Sequence, residues 1–299
     1  MKYVFYHASC MDGFGAALSA WLVFRDAAKY IPSSYGREES IFDNDFQEED
    51  EVYILDYSIS NENFEKLCDL VGKVVILDHH KTALERFTDG LHTDGTYLLQ
   101  RNGNYVLFDM EKSGALLSWE YFHPGIMAPN LIKFISDRDL GQFRFEVTKP
   151  VHAYLSSKKM KFEIWDEIMH DLADPKYAAR IFNTGYTLLD LQDEIVTKIC
   201  KHAQFVEILG HVVPTVNATS HWSEVGEKLG SMYPQAKFTV SYGDMADGTR
   251  LYSLRSKPGF DVSEVAKVWG GGGHATAAGF KVKMNNLHPE EFKGETYET

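Results

Sequence analysis

The stretch KVVILDHH, residues 73–80, runs four apolar residues straight into an aspartate and two histidines. An apolar run of this length is typical of a strand that is buried on both faces, as in a parallel sheet covered by helices. Side chains alternate along a strand, so Asp78 and His80 are expected to point one way and His79 the other. Burying such groups costs free energy unless a metal ion or hydrogen bonds compensate it. Taken alone, the stretch is equally compatible with a turn that carries two surface histidines.

Strand and helix patterns alternate through the first 80 residues and predict an α/β fold. We expect an N-terminal parallel sheet with helices on both faces, in which residues 73–80 form the fourth strand. Residues 111–205 have mainly helical patterns, and strand patterns return from about residue 208. We therefore predict an N-terminal domain at 1–190, a helical linker at 191–210 and a smaller mixed-sheet α/β domain at 211–299.

Composition excludes several classes of protein. The net charge of −13 disfavours a long basic groove for duplex nucleic acid, but it allows a short phosphate-bearing substrate. No segment approaches the roughly 20 consecutive apolar residues of a membrane span, and the N-terminus has no signal-peptide pattern. Three widely spaced cysteines, one of them Cys10, argue against a disulfide framework. These features predict a cytoplasmic protein that does not bind membranes.

Titratable side chains gather after the predicted strands, where ligands of open parallel sheets bind. The candidates on these strand ends and on one later helix are His7, Asp12, Asp56, Asp78, His79, His80, Asp137 and Asp139. Mixed carboxylate and imidazole ligands suit Mn²⁺ or a comparable ion. So many ligands exceed the needs of one tetrahedral site and suit two cations about 3.5–4 Å apart, an arrangement that hydrolyses phosphoesters. The predicted cofactor is therefore a pair of divalent cations, with Mn²⁺ favoured.

Five motifs in order resemble one known family. They are HASCMDGFGAA at 7–17, LDYS at 55–58, LDHH at 77–80, SDRDLG at 136–141, and SLRS at 253–256 with GGGGHATAAGF at 270–280. Together they resemble the DHH phosphoesterase superfamily with an appended DHHA1 domain. The chain is most similar to the nanoRNase B-like branch, which includes oligoribonucleases and cyclic-nucleotide phosphodiesterases and also carries an S-G-A, here residues 113–115.

The resemblance implies a role for each candidate residue. The implied metal ligands are His7, Asp12, Asp56, His79 and Asp137, with Asp56 bridging the two ions. Asp78 would orient an imidazole, and His80 would lie against the scissile phosphate or the leaving oxygen. The implied substrate-binding residues are Arg255, Gly271, Gly272, Gly273 and His274. Consecutive glycines let backbone donors reach an anion, and an arginine offers two parallel hydrogen bonds to phosphate.

Two positions leave alternatives open. The superfamily usually has H-x-x-x-D-x-D in its first motif, whereas this chain is one residue shorter and has Cys10 where an acid is expected. Cys10 is either a thiolate ligand or a small buried bystander, and we favour the bystander. In SDRDLG we prefer Asp137 as the ligand because it falls at the helix end, with Asp139 nearly as good a candidate.

The expected function is metal-dependent hydrolysis of very short oligonucleotides to 5′-mononucleotides by a water activated by two metals. One alternative is a phosphatase or phosphodiesterase acting on 3′-phosphorylated nucleotides or on linear or cyclic dinucleotides. An alternative of another class is an inactive nucleotide-sensing protein, which only the Cys10 departure supports. The expected partner is a short oligonucleotide or dinucleotide rather than a long duplex, and a homodimer is left open.

Overall fold

The N-terminal sheet has six strands, and five of them are parallel. The computed structural model describes residues 1–284, and the chain divides into one unit at Met1–Leu189 and a second beginning at Asp190. The strands of the first unit are β1 (Lys2–His7), β2 (Ala28–Ser33), β3 (Glu51–Leu55), β4 (Lys73–Asp78), β5 (Thr96–Arg101) and β6 (Asn104–Asp109). Their order is β2-β1-β3-β4-β6-β5, and the edge strand β5 alone runs antiparallel to its neighbour.

Helices cover both faces of this sheet. The helices packed on it are α1 (Met11–Phe24), α2 (Asn61–Cys68), α3 (Lys81–Phe87) and α4 (Gly114–Phe122). The helices that follow are α5 (Asn130–Asp139), α6 (Thr148–Ser156), α7 (Phe162–Asp171) and α8 (Pro175–Cys200), of which residues of α5–α7 and of the first part of α8 pack with α1 and α4. Alternate residues of β3 face opposite layers. Val52 and Ile54 pack with α2 and α3, whereas Tyr53 and Leu55 pack with α1 and α4. The predicted α/β fold, a parallel sheet with helices on both faces, is confirmed, except that the edge strand β5 is antiparallel.

A hairpin that was not predicted lies between the fourth strand and the helical region. Strands β5 and β6 are joined by Asn102 and Gly103, which have φ values of 51° and 85°. Two consecutive residues with positive φ form the tight turn that suits the twist of a hairpin, and Asn-Gly is its preferred sequence. This hairpin places β6 beside β4 and so completes the sheet on that side.

The second unit contains a mixed sheet with two further helices. Its strands are β7 (Gln204–Ile208), β8 (His211–Asn217), β9 (Phe238–Asp244), β10 (Thr249–Ser256), β11 (Gly272–His274) and β12 (Ala277–Lys283), and its helices are α9 (Trp222–Met232) and α10 (Val262–Lys267). The strand order is β11-β12-β10-β9-β8-β7, with β8 and β9 parallel and the other pairs antiparallel.

The predicted helical linker at 191–210 is only partly helical. Helix α8 ends at Cys200, and residues 204–208 already form β7, which pairs with β8. The alternation of exposed and buried residues in QFVEI is too weak to mark a strand from the sequence. Residues 285–299 of the predicted 211–299 domain lie outside the described residues. Over residues 1–284, none of the helices combines the length and the apolar character that a membrane crossing needs.

Candidate metal centre

Three neighbouring strands end in the side chains of the candidate site. β1 ends at His7, Asp56 follows β3 directly, and β4 ends at Asp78 before His79. Because β1, β3 and β4 are adjacent and parallel, these residues share one edge of the sheet. Asp56 has a φ of 55°, a left-handed conformation that is uncommon for non-glycine residues, although aspartate adopts it more readily than most. The backbone therefore leaves the extended conformation at Asp56, directly after β3 and at the edge of the sheet that the site residues share.

Asp56 is the centre of the cluster. Its Oδ1 lies 3.2 Å from His79 Nε2, and its Oδ2 lies 3.4 Å from His7 Nδ1. His79 Nε2 is also 3.5 Å from Asp12 Oδ2 and 3.5 Å from Asp139 Oδ2. Asp56 is 1% exposed, whereas the Asp139 side chain is 24% exposed. The arrangement therefore has a buried carboxylate in the middle, with its two oxygens turned to different imidazoles.

The amino end of helix α4 holds the Asp12 carboxylate. The backbone N–H of Gly114 donates to Asp12 Oδ2 at 2.6 Å, and that of Ala115 donates to Oδ1 at 3.1 Å. Ser113 caps the same helix, its Oγ accepting from Leu116 N at 3.3 Å. Unpaired N–H groups and the helix dipole favour a carboxylate at this position. The N–H groups of Gly114 and Ala115, in the S-G-A motif at residues 113–115, thus hold the Asp12 carboxylate, and we call this pair of hydrogen bonds the Asp12 clamp. The sequence alone did not predict this role.

Gly114 has to be glycine because Asp56 lies directly against it. A Cβ atom at residue 114 would be 2.4 Å from Asp56 Cβ and 2.5 Å from its Oδ1. No side chain fits at that distance without movement of the helix or of the turn after β3. The close approach brings the two buried carboxylates, Asp12 and Asp56, into one cluster.

Several charges are buried together in this cluster. Burial raises the pKa of Asp12 well above its usual range, and the charges of Asp56 and Asp139 raise it further. Burial alone would raise the pKa of Asp56 too, but the imidazoles of His7 and His79 hold it well below its usual range. Burial lowers the pKa of His79, yet Asp139, Asp56 and Asp12 together bring it well above its normal value. Carboxylates that repel one another this strongly are suited to a divalent cation.

The buried atoms fit a cation in a second respect. Both carboxylate oxygens of Asp56 and the Nδ1 atom of His7 are buried and accept or donate no hydrogen bond within residues 1–284. Buried polar atoms are nearly always hydrogen-bonded, so orphans of this kind call for an explanation. Two groups of ligand atoms lie within 4.8 Å of one another and share Asp56, namely Asp12, Asp56 and His79, and His7, Asp56 and His80. The donor set and its geometry fit divalent cations.

The structure brings Asp139, and not the preferred Asp137, to the cluster. Asp137 is fully buried elsewhere: its carboxylate accepts from Arg144 N at 2.9 Å, Phe145 N at 3.3 Å and Thr148 Oγ1 at 2.5 Å. Burial raises the pKa of Asp137, but these donors outweigh burial and lower it. Residues two apart on a helix face nearly opposite directions, so only one of the pair can reach the site. The geometry therefore favours Asp139, the alternative left open, over Asp137, and a ligand role for Asp139 stays a prediction.

The different positions of Asp139 and Asp137 predict that substitution of Asp139 lowers metal affinity and that substitution of Asp137 lowers stability. Asp139→Asn is expected to lower Mn²⁺ affinity by roughly 10–100-fold, as substitutions around metal sites typically do. Little change in stability is expected. Asp137→Asn is expected to lower the free energy of unfolding by about 1–3 kcal/mol, because buried donors lose a charged acceptor, and to retain Mn²⁺ affinity. Calorimetric Mn²⁺ titration and urea unfolding of both variants check this. The reverse pattern would restore Asp137 as the ligand.

Comparison with known proteins agrees with the motifs and the fold. Residues 213–293 match the DHHA1 domain. With the five motifs, this match makes the chain similar to the DHH/DHHA1 superfamily. It is 27% identical over 293 residues to the uncharacterized protein R106 of Acanthamoeba polyphaga mimivirus, an alignment covering 92% of this chain and 66% of that protein, just under two thirds. It is 25% identical over 317 residues to the oligoribonuclease NrnB of Bacillus subtilis (strain 168), covering 94% of this chain and 73% of NrnB.

A solved structure shares the fold of this chain. It is the DHH domain of a protein described as a member of a family of ribosomal proteins. The TM-score is 0.56 at 14% sequence identity, and the match covers 97% of this chain and 84% of the other. At this identity the likeness establishes the fold and nothing about activity.

The aspartate of the DHH motif holds its second histidine. Asp78 is fully buried, and its Oδ1 lies 2.7 Å from His80 Nδ1 while accepting from the backbone nitrogens of His79 and His80 at 2.7 and 3.3 Å. Burial raises the pKa of Asp78, but the adjacent His80 lowers it below its usual value. A carboxylate occupied in this way orients an imidazole and has little capacity left for a cation, which suits the role predicted for Asp78.

Cys10 immediately precedes helix α1 and is half-buried. Burial raises the pKa of its thiol well above the usual value, and the charges of Asp56, Asp139 and Asp12 raise it further. Within the described chain, Cys10 belongs to neither group of converging ligand atoms. The interpretation of Cys10 as a bystander therefore stays the preferred one.

The predicted substrate-binding residues of the DHHA1 domain lie on β10, on β11 and in the turn before β11. The guanidinium of Arg255 donates to Ser223 Oγ at 2.7 Å, to the Leu254 carbonyl at 2.8 Å and to Ser253 Oγ at 3.2 Å. Gly271 and Gly273 lie against β12, where a Cβ would be 2.1 Å from the Gly279 oxygen and 2.5 Å from the Ala277 oxygen. Packing alone thus requires these two glycines. Phosphate binding by Arg255, Gly271, Gly272, Gly273 and His274 stays a prediction.

Proposed function

We propose that this protein is a metal-dependent phosphodiesterase that hydrolyses very short oligonucleotides to 5′-mononucleotides. The observation that carries the proposal is the buried Asp56 carboxylate, whose two oxygens face different imidazoles and accept no hydrogen bond within the described residues. The DHHA1 match and the resemblance to a phosphoesterase superfamily support the reaction class, and similarity to a protein named oligoribonuclease supports the choice of substrate.

Two cation sites that share Asp56 would form this centre. Asp12, Asp56, His79 and Asp139 would hold one cation, and His7 and Asp56 would hold the other, with His80 close by. Carboxylate and imidazole donors without thiolate suit Mn²⁺. When bound, the cations would supply a hydrolytic nucleophile at neutral pH and offset negative charge on the phosphoryl oxygens. The clamp on Asp12 from α4 would fix one ligand before any cation arrives.

His80 would act on the leaving oxygen. Because Asp78 holds Nδ1 at 2.7 Å, Nε2 on the other side of the ring is the nitrogen that would meet substrate. Release of a 5′-mononucleotide requires the bond from phosphorus to the 3′ oxygen to break. We propose that His80 donates a proton from Nε2 to that departing oxygen, and that the Asp78 carboxylate orients the ring for this transfer.

Residues of the second unit would bind substrate phosphate. Arg255 is held in one orientation by two serine hydroxyls and a carbonyl, so its planar guanidinium is preset for phosphate. With Gly271, Gly272, Gly273 and His274 it would bind phosphate groups of a nucleotide. A protein with a net charge of −13 gains little from further phosphates along a longer strand.

A time course with 5′-labelled RNA of 2, 3, 5 and 24 nucleotides tests this function. Cyclic dinucleotides and a nucleoside 3′,5′-bisphosphate complete the panel, each with Mn²⁺, Mg²⁺ or EDTA. We expect metal-dependent conversion of the three short RNAs to 5′-mononucleotides and slow loss of the longest. Equal turnover of the 5-mer and the 24-mer would contradict the length limit, and cleavage of the cyclic or bisphosphorylated compounds alone would make the substrate assignment wrong. If Mn²⁺ binds and nothing is cleaved, the nucleotide-sensing alternative replaces the enzyme.

A further inference from the structure

Tyr35 lies beside the histidines of the metal centre, although no motif marks it in the sequence. Strand β2 pairs in parallel with β1, which places Ser33 opposite His7. The backbone N–H of Ala8 donates to the Ser33 carbonyl at 2.7 Å, tying the two strand ends together. Tyr35 comes two residues after Ser33 and therefore lies at the same edge of the sheet.

The Tyr35 side chain contacts both the DHH aspartate and two histidines. Its hydroxyl donates to Asp78 Oδ2 at 3.2 Å, while the other oxygen of Asp78 lies 2.7 Å from His80 Nδ1. Its ring centroid is 5.5 Å from that of His7 and 5.6 Å from that of His80, edge to face in both cases. One side chain thus supports the carboxylate and the imidazole that the carboxylate holds.

We propose that Tyr35 is a positioning residue for His80 and acts through the Asp78 carboxylate. The torsion that sets the plane of an aspartate carboxylate is broad, so contacts at one oxygen do not fix it. Backbone nitrogens and His80 all meet Oδ1, and Tyr35 supplies the hydrogen bond at Oδ2 that sets the plane. The expected effect on catalysis rests on the proposed function of His80. The effect of Tyr35 on the orientation of the His80 ring is independent of that function.

The substitution Tyr35→Phe removes the hydroxyl and keeps the ring, so it tests the hydrogen bond apart from the packing. The ring also lies 5.1 Å from Tyr57 and 5.6 Å from the guanidinium of Arg86. Arg86 is held independently by Glu38 at 2.7 Å and by the Ser58 carbonyl at 3.1 Å. Tyr35 is 37% exposed, so Tyr35→Phe keeps these contacts without burying a new group.

The kinetic test compares Tyr35→Phe with Tyr57→Phe on a 5′-labelled diribonucleotide. Tyr57 is a fully buried neighbour whose hydroxyl has no hydrogen-bond partner within residues 1–284, so it controls for loss of a tyrosine oxygen nearby. We expect Tyr35→Phe to lower kcat by roughly 10-fold, the scale for residues that orient active-site groups, with KM, Mn²⁺ affinity and Tm unchanged. Tyr57→Phe should leave kcat unchanged. An equal fall in both variants would indicate packing and overturn the proposal.

A second readout does not depend on activity. The ¹⁵N shifts of the His80 ring, measured with Mg²⁺ and assigned with His80→Gln, report the hydrogen bond at Nδ1. We expect these shifts to move in Tyr35→Phe and to stay in place in Tyr57→Phe. Unmoved His80 signals in Tyr35→Phe would overturn the positioning role, whatever the rates. If the signals move but the wild-type protein cleaves no phosphodiester, the proposed function fails and the positioning role stands.

Discussion

Replacement of Asp56 by asparagine is expected to remove cation binding and to lower kcat/KM on the order of 10³-fold or more. Substitution of one residue of a catalytic group that acts as a unit typically lowers the rate by this amount or more. Asparagine keeps the shape of the side chain but replaces one anionic oxygen by an N–H₂ donor. Because both groups of converging ligand atoms include Asp56, the loss affects both cation sites at once. Steady-state kinetics on a diribonucleotide and calorimetric Mn²⁺ titration measure the two effects.

Asp50→Asn is the matched control for this variant. Asp50 is equally buried but lies away from the cluster, where it accepts from the N-terminal ammonium at 2.5 Å and from Gln47 N at 2.9 Å. We expect it to lose stability while Mn²⁺ stoichiometry and kcat stay at wild-type values. Wild-type Mn²⁺ stoichiometry in Asp56→Asn would show that the cations bind elsewhere.

Gly114→Ala is expected to damage the site through a single methyl group. The new Cβ would lie 2.4 Å from Asp56 Cβ, so either helix α4 or the turn after β3 has to move. Overpacking of this kind lowers the free energy of unfolding by about 1–3 kcal/mol. Movement of α4 also shifts the N–H donors at 2.6 and 3.1 Å from Asp12, so we expect Mn²⁺ affinity to fall roughly 10–100-fold. Urea unfolding and Mn²⁺ titration measure both effects.

Gly230→Ala tests whether the Gly114 effect is specific to this position. Gly230 lies in helix α9, and its Cβ would be 3.8 Å from Thr239 Cγ2, an ordinary contact. Alanine is the better helix former by about 1 kcal/mol, so this variant should be as stable as the wild type or more stable. If Gly114→Ala were to behave like Gly230→Ala, the close approach of α4 to Asp56 would not matter for the site.

Much of the site can be derived from the sequence through one rule. An apolar run such as residues 74–77 predicts a buried parallel strand, and parallel strands deliver the residues after their last positions to one edge of the sheet. That rule alone brings together His7, Asp56 and His79. It does not depend on details of packing, which is why the fold and this part of the cluster could be predicted.

The remaining features depend on packing that a linear pattern does not contain. Asp137 and Asp139 belong to the same short motif, and only the rotation of helix α5 decides which of them reaches His79. The clamp on Asp12 comes from residues more than 100 positions away. Tyr35 lies in a loop without any periodic signal. The β5–β6 hairpin is different, because its Asn102-Gly103 turn is a hairpin signal that the sequence itself contains.

Hydrolysis of a 5′-labelled diribonucleotide by wild-type protein and by His79→Ala tests the central claim most directly. His79 Nε2 lies within 3.5 Å of three carboxylates, so its loss removes the imidazole common to Asp12, Asp56 and Asp139. We predict 5′-mononucleotide formation by the wild type with Mn²⁺, none with EDTA and none by His79→Ala with Mn²⁺. Turnover that persists in His79→Ala or in EDTA would contradict a metal centre at this edge of the sheet.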